Sequence, residues 1–367
     1  MQRVLVSLDR KDTTLGLLDG LLEHLPRYTE IIVLLSRASL ETIHAELKDK
    51  PYRDRIRLVA RDVECPADKR IYLLFRDEDK LVPVDVEGWE GTFGSKWAQD
   101  LFEVGVTRSG GPLLITPVVH RYFSAVGDTS DLQVACDNAY LTGLDAVGLR
   151  VRSVPIAFKG GNVLVDNVEG RSVALCGADV LRATRTASHA LVGVKPSDAE
   201  IIPVIKTALQ VDDVIVVGRG CLQPRLMYHL DQAVVLLAGR VAAVTRVVAE
   251  DARALRCSEE VRDVRRFLAE LRSELQGLGY RLVDLETSVR NVMRYRYYAN
   301  AVPYVDLQTR QRITLMPVFP SGQTDFDRGL VERNTTVLES LAYRVVHVPT
   351  HADTLKGGIH CLVNVLE

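Results

Sequence analysis

Short apolar runs of strand length alternate with amphipathic helical stretches along nearly the whole chain, and that alternation limits the fold more than any other feature. Arg3 to Leu8, Ile31 to Leu35, Ile56 to Val59 and Ile71 to Phe75 have the length and β-branched content of strands. Between them, Thr13 to Leu25 carries six leucines on one broad face, and Leu40 to Leu47 follows Ser39, a candidate cap. The middle adds strands at Leu113 to Val119, Val151 to Ile156, Val163 to Val165, Val173 to Leu175 and Val214 to Val217. A helix spans Ala199 to Leu209, and a hairpin over Leu226 to Leu237 and Val241 to Val247 turns at Ala238-Gly239-Arg240. The last stretch gives a charged helix at Val261 to Leu278 and strands at Leu282 to Leu285, Ala299 to Leu307 and Ile313 to Pro317. A helix at Phe326 to Leu341, a strand at Val345 to Val348 and the segment Gly358 to Leu366 complete it. Such traffic is α/β, with parallel or mixed strand pairing. A unit of strand, strand, helix, strand recurs without clear sequence identity, and no Pro/Gly/Ser linker divides the 367 residues. A single domain over 1–367 is the expectation.

Composition removes several functions. Net charge is −2, so bulk electrostatics will not hold a nucleic acid. No apolar stretch approaches the ~20 residues of a membrane span. The amino terminus reads directly as a strand and lacks the apolar core of a signal peptide. Six cysteines (Cys65, Cys136, Cys176, Cys221, Cys257 and Cys361) contain no CxxC pair, and the eight histidines form no HExxH. Neither a metal centre nor a disulfide scaffold is expected, no cofactor is implied, and a reducing cytoplasm is the simplest setting.

Two places can carry chemistry. Cys361 stands behind Gly357-Gly358-Ile359-His360, and a thiolate there could be a nucleophile. The ordinary role of a lone cysteine is an inert core residue. His229-Leu230-Asp231 lies between two apolar runs; on a strand, residues two apart share a face, so both polar side chains would enter one cavity. A polar pair facing solvent from an edge strand is the plainer alternative. Upstream stand Trp97-Ala98-Gln99-Asp100 and Lys159-Gly160-Gly161-Asn162.

In this order the segments resemble the pentein superfamily of guanidine-modifying proteins, with agmatine deiminases and peptidyl-arginine deiminases as the nearest flavour. The motifs are Trp97 to Asp100, Lys159 to Asn162, His229 to Asp231, Tyr298 to Asn300, Met316-Pro317-Val318-Phe319 and Gly358 to Cys361. The resemblance runs over residues 97–367, leaving 1–96 as a divergent amino-terminal portion. It implies a fivefold pseudosymmetric α/β propeller of ββαβ units. It also implies a cysteine-dependent hydrolase acting on the guanidine or amidine of an arginine-derived small molecule or peptide. Cys361 would form a covalent intermediate, with His229 as acid and base. Asp100 and Asp231 would clamp the guanidinium, and Trp97, Gly160 and Gly358 would complete the pocket.

One departure stands out. Lys159 occupies the place where the deiminases carry Glu or Asp ahead of the glycine pair. A cation there repels a guanidinium and withdraws the carboxylate that would support His229 as imidazolium. Three outcomes stay open: another acid (Asp166, Glu103 or Glu169) substitutes; the substrate is unusual or the reaction is amidino transfer; or the cavity binds without turnover, as in the ribosome anti-association factors of similar scaffold, which lack the nucleophile. Oligomeric state is likewise open.

Overall fold

The computed structural model describes residues 2–8, 14–61, 70–75, 80–85, 103–107, 111–117, 122–125, 144, 146–221, 223–249, 259–350 and 358–366. In the first third lie β1 (Arg3–Leu8), α1 (Thr14–His24), β2 (Glu30–Ser36), α2 (Arg37–Leu47), β3 (Ile56–Arg61), β4 (Arg70–Phe75) and β5 (Lys80–Asp85). The middle contains β6 (Glu103–Val106), β7 (Pro112–Pro117), β8 (Tyr122–Ala125), β9 (Arg150–Val154), β10 (Val163–Val168) and β11 (Arg171–Gly177). Next come α3 (Ala178–Val192), α4 (Asp198–Leu209), β12 (Asp213–Val217), β13 (Val234–Leu237), β14 (Val241–Val248), α5 (Glu259–Gly277) and β15 (Arg281–Ser288). The chain closes with α6 (Val289–Val292), β16 (Val302–Val305), β17 (Arg312–Val318), α7 (Asp325–Ser340), β18 (Arg344–Pro349), α8 (Ile359–Leu362) and β19 (Val363–Leu366).

The fold is mixed α/β, built from small sheets of one recurring plan. In β6-β7-β9, β10-β11-β12, β13-β14-β15 and β16-β17-β18, the first strand pairs antiparallel with the second, and the second pairs parallel with the third. A fifth sheet repeats the plan with strands from opposite ends of the chain. There β19 runs antiparallel to β1, β1 parallel to β2, and β3 extends the edge. A further sheet, β5-β4-β8, differs in chain order: its first strand, β4, is central, antiparallel to β5 and parallel to β8. Parallel neighbours need a crossover, and α1, α3 with α4, α5 and α7 supply it in four of these sheets.

Local chemistry explains these elements. β14 is buried over Val241 to Thr245, as suits a strand flanked on both sides. On α5, Val261, Val264, Phe267, Leu268, Leu271 and Leu275 are buried at spacings of three and four, and the charged remainder faces water. Helix α4 opens with a reciprocal cap in which the Ser197 amide donates to Glu200 Oε2 at 2.8 Å. Thr324 and Asp327 cap α7 in the same way. One apolar core joins α1 and β2 to β16, β17 and β18, and it reaches Ile359, Cys361 and Leu362. No helix among the described residues is long and apolar enough to cross a membrane.

Two expectations change. The run from Leu226 to Leu237 is not one strand: His229 is extended, Leu230–Gln232 forms a 3-10 turn, and β13 begins only at Val234. The ladder is replaced by other partners, since the Leu230 amide donates to Asn162 Oδ1 at 2.9 Å and Thr245 Oγ1 donates to the Gln232 carbonyl at 2.9 Å. The strand expected from Ala299 starts at Val302, because Tyr297 to Asn300 form a turn closed by the Asn300 amide on the Tyr297 carbonyl.

Candidate functional site

Four of the motifs lie just ahead of the leading strand of a sheet, whereas Met316 to Phe319 lies at the end of the middle strand β17. Lys159 to Asn162 precede β10, His229 to Asp231 precede β13, Tyr298 to Asn300 precede β16, and Gly358 to Cys361 precede β19. Trp97 and Asp100, upstream of β6, lie outside the described residues, as does Gly357. The repeated sheet plan therefore repeats the position of the chemistry as well.

Three of the predicted residues meet. One ligand atom each from His229, Asp231 and Cys361 lies within 4.8 Å of the other two. All three are buried, at 2%, 1% and 3% exposure, so the cluster is screened from bulk water. The bend of the 3-10 turn, rather than the pleat of a strand, points His229 and Asp231 at the same place. Cys361 Sγ lies 3.3 Å from Asp231 Oδ2, across 130 residues of sequence. Asn300 Nδ2 donates to the sulfur at 3.2 Å, and Asn300 Oδ1 accepts from the Cys361 amide at 3.3 Å. His360 Nδ1 is 3.0 Å from the same Asp231 Oδ2. Asp231 Oδ1 is buried with no hydrogen-bond partner among the described residues.

Glycines set the closeness. A Cβ on Gly161 would lie 2.7 Å from His229 Nδ1 and 3.1 Å from Asp231 Oδ2, so the turn backbone is pressed against both groups. A Cβ on Gly358 would lie 2.5 Å from Asn300 Oδ1. Gly358 thus leaves room for the Asn300 side chain. Gly160 is buried in the 3-10 turn Gly160–Asn162, and Lys159 is half-buried at the start of that turn. Asn162 ties the turn to the opposite motif: its Oδ1 accepts from the Leu230 amide and from Gln223 Nε2, each at 2.9 Å. Tyr228 presents its ring to His229 edge-on at 4.5 Å, and Tyr295 stands 6.0 Å behind it.

A cavity of about 250 Å³ is lined by residues of β6, β10, β13, β16 and β19, the leading strands of the five like sheets. Its polar wall consists of Glu103, Asp231, His360 and Asn364. Asp231 and His360 belong to both the cavity and the cluster, whereas Cys361 and His229 do not line the cavity. Glu103 also bears on a second thiol. Full burial, with the Glu103 carboxylate adding to it, pushes Cys176 up to about 12.

Asn300, His360, Gly161 and Asn162 all fall inside motifs visible in the sequence, yet none had a role there. Nothing short of the contacts marks Asn300 as the residue that holds the sulfur. The donor set of the cluster (imidazole, carboxylate, thiol) serves nucleophilic chemistry and metal binding alike.

Known structures bear on the fold. An agmatine deiminase from C. jejuni superposes with a TM-score of 0.57 at 13% sequence identity, covering 99% of this chain and 92% of that one. The agmatine deiminase of Enterococcus faecalis gives 0.55 at 14% identity, with 99% and 92% covered. The chain shares their fold. A scan against protein-family models finds no match, and a search of curated proteins finds none either.

Proposed function

We propose that the protein is a cysteine-dependent hydrolase of a guanidine or amidine group. The observation that carries this is the meeting of Cys361, His229 and Asp231 in one buried cluster. The fold shared with two agmatine deiminases supports it. So does the lining of one cavity by five leading strands, which fits a fivefold propeller closed around a central hollow.

A guanidinium carbon is a poor electrophile, because its charge is delocalised over three nitrogens. A carboxylate gripping its N–H groups fixes its plane and matches its charge. Asp231 takes that place with its open oxygen Oδ1, and Asp100 or Glu103 supplies the second acid. An empty site sets the Asp231 anion against negative charge on sulfur at 3.3 Å. A bound cation relieves that opposition, so substrate itself promotes the thiolate. The Cys361 thiolate attacks the central carbon and forms a C–S bond. His229 gives a proton to the leaving nitrogen, and the C–N bond breaks to release ammonia or an amine. Water then adds to the amidino-thioether carbon and yields its proton to His229. The C–S bond breaks, leaving a ureido product and regenerating the thiolate. Asn300 Nδ2, donating to sulfur, steadies the thiolate as nucleophile and as leaving group.

Lys159 bears on the choice of substrate. An ammonium beside the turn favours a guanidine that carries an anion near it, or one held within a peptide, over a free dicationic amine.

The test uses 2-chloroacetamidine, a small cationic amidine that alkylates a thiol placed against a guanidine clamp. Cys361 is expected to be modified far faster than Cys176 or Cys221, and Cys361→Ser to abolish ammonia release from whichever guanidine in a panel is turned over. Labelling of Cys361 at the rate of the other thiols overturns the assignment.

A further inference from the structure

We propose that the same cluster is a binding site for a thiophilic divalent cation of the Zn²⁺ type, which blocks Cys361 while bound. The donors are Cys361 Sγ, an imidazole nitrogen of His229 and a carboxylate oxygen of Asp231. Thiolate and imidazole together select zinc-like ions over Mg²⁺ or Ca²⁺, which prefer all-oxygen shells.

The geometry is close to what such an ion needs. Zinc bonds of ~2.3 Å to sulfur and ~2.0 Å to nitrogen or oxygen, set tetrahedrally, place neighbouring donors about 3.3 to 3.5 Å apart. The Sγ to Oδ2 separation is already 3.3 Å. The widest separation among the three donors is no more than 4.8 Å, so closure asks for a movement of about 1.3 Å at most.

A second observation points to a ligand independently of the spacing. Asp231 is 1% exposed, and its Oδ1 has no hydrogen-bond partner among the described residues. A buried carboxylate oxygen left in that state is costly, and a cation satisfies it. The supporting bonds are also in place. Asn300 Nδ2 orients the sulfur and His360 Nδ1 orients Oδ2, the kind of outer contact that holds metal ligands in position. Three protein donors leave a fourth tetrahedral position, which water takes. Binding releases the thiol proton to solvent, so apparent affinity rises with pH until the thiol is fully ionised. Because the nucleophile's sulfur becomes a ligand, the occupied site cannot attack carbon.

The experiment uses the whole chain, stripped with a chelator and then titrated with Co²⁺ and Zn²⁺. Co²⁺ is expected to bind one to one, giving a near-ultraviolet sulfur-to-cobalt charge-transfer band and the intense visible bands of tetrahedral cobalt. Zn²⁺ should displace it and protect Cys361 from iodoacetamide. Cys361→Ser should remove the charge-transfer band, and His229→Ala should weaken Zn²⁺ binding by ~10- to 100-fold, a change of ligand set costing at least what a supporting contact does. Circular dichroism establishes that both variants fold. An octahedral cobalt spectrum indifferent to Cys361→Ser, or iodoacetamide labelling unchanged by stoichiometric Zn²⁺, overturns the proposal. The two ideas fail separately: metal-free labelling by chloroacetamidine tests the hydrolase, and cobalt spectra report the metal site without any turnover.

Discussion

Replacing Gly161 by alanine is the sharpest probe of the cluster. An ideal Cβ at this position lies 2.7 Å from His229 Nδ1, 2.9 Å from its Cγ and 3.1 Å from Asp231 Oδ2. Ordinary contact begins near 3.4 Å, so the imidazole must retreat by about 0.7 Å or the turn must open by as much. Its neighbours restrict the retreat, because the ring already meets Tyr228 at 4.5 Å. Misplacing a catalytic group by ~1 Å costs ~100-fold, and overpacking a tight interior costs ~1 to 3 kcal/mol of stability. Gly161→Ala should therefore lower the efficiency of Cys361 inactivation by chloroacetamidine by ~10- to 100-fold, equivalent to ~1.4 to 2.8 kcal/mol. Peptide mapping by mass spectrometry gives the rate, and urea titration gives the stability. Gly277→Ala, at a helix position where nothing lies within 4 Å, is the control: it should leave labelling unchanged and raise stability by no more than ~1 kcal/mol. A Gly161→Ala protein that labels within twofold of the parent at equal stability refutes the idea that this glycine sets the position of His229.

Asp231→Asn removes an anion 3.3 Å from sulfur, so neutral iodoacetamide should react faster with Cys361 and cationic chloroacetamidine more slowly. Their ratio should change by more than ~10-fold, since two charges ~4 Å apart exchange ~4 kcal/mol at protein-like screening; an unchanged ratio means Asp231 is no clamp. Asn162→Ala leaves the buried Leu230 amide and Gln223 Nε2 without their 2.9 Å acceptor, and should cost ~1 to 3 kcal/mol by urea denaturation. A loss under ~0.5 kcal/mol would count against its role in tying the two motifs together. Cys176, raised from 9.0 to about 12 by burial and Glu103, should resist alkylation at pH 8 until the protein is unfolded. The same shift stabilises the fold fully below pH 9 and is lost as pH climbs towards about 12, so Cys176→Ala should flatten alkaline unfolding over that range.

The fold was legible wherever burial followed a simple period. Strands β2, β12 and β14 and helices α4, α5 and α7 match their apolar patterns to within a few residues. Helix α3 did not show itself. Among the described side chains, its buried face includes Ala183, Thr184, Thr186 and Ala187 beside two larger apolar residues, Val180 and Leu181. Thr184 Oγ1 both accepts from the Ala157 amide and donates to the Ala157 carbonyl, a packing device no hydrophobic pattern encodes. Helix α2 begins at Arg37, so Ser39 falls inside it rather than at its cap. In the site, the types and order of Cys361, His229 and Asp231 were visible in the sequence, and their convergence was an expectation. The bend that joins His229 to Asp231 was not visible, because it depends on Asn162, which is 68 residues from Leu230. Asn300 and His360 were in view without a role, since an amide on sulfur and an imidazole on a shared carboxylate are contacts between distant segments.

The antiparallel seam between β1 and β19 has a kinetic implication. Val6 sits opposite Val363, two residues beyond Cys361, so the thiol segment is held by a strand hundreds of residues away in sequence. On a ribosome, the other five motifs emerge before the Cys361 segment arrives. The cluster then closes in one late event, the zipping of that strand onto one made hundreds of residues earlier, and pairing over so long a separation is slow. A lesion in β1, hundreds of residues from Cys361 in sequence, should therefore disturb the cluster through this seam.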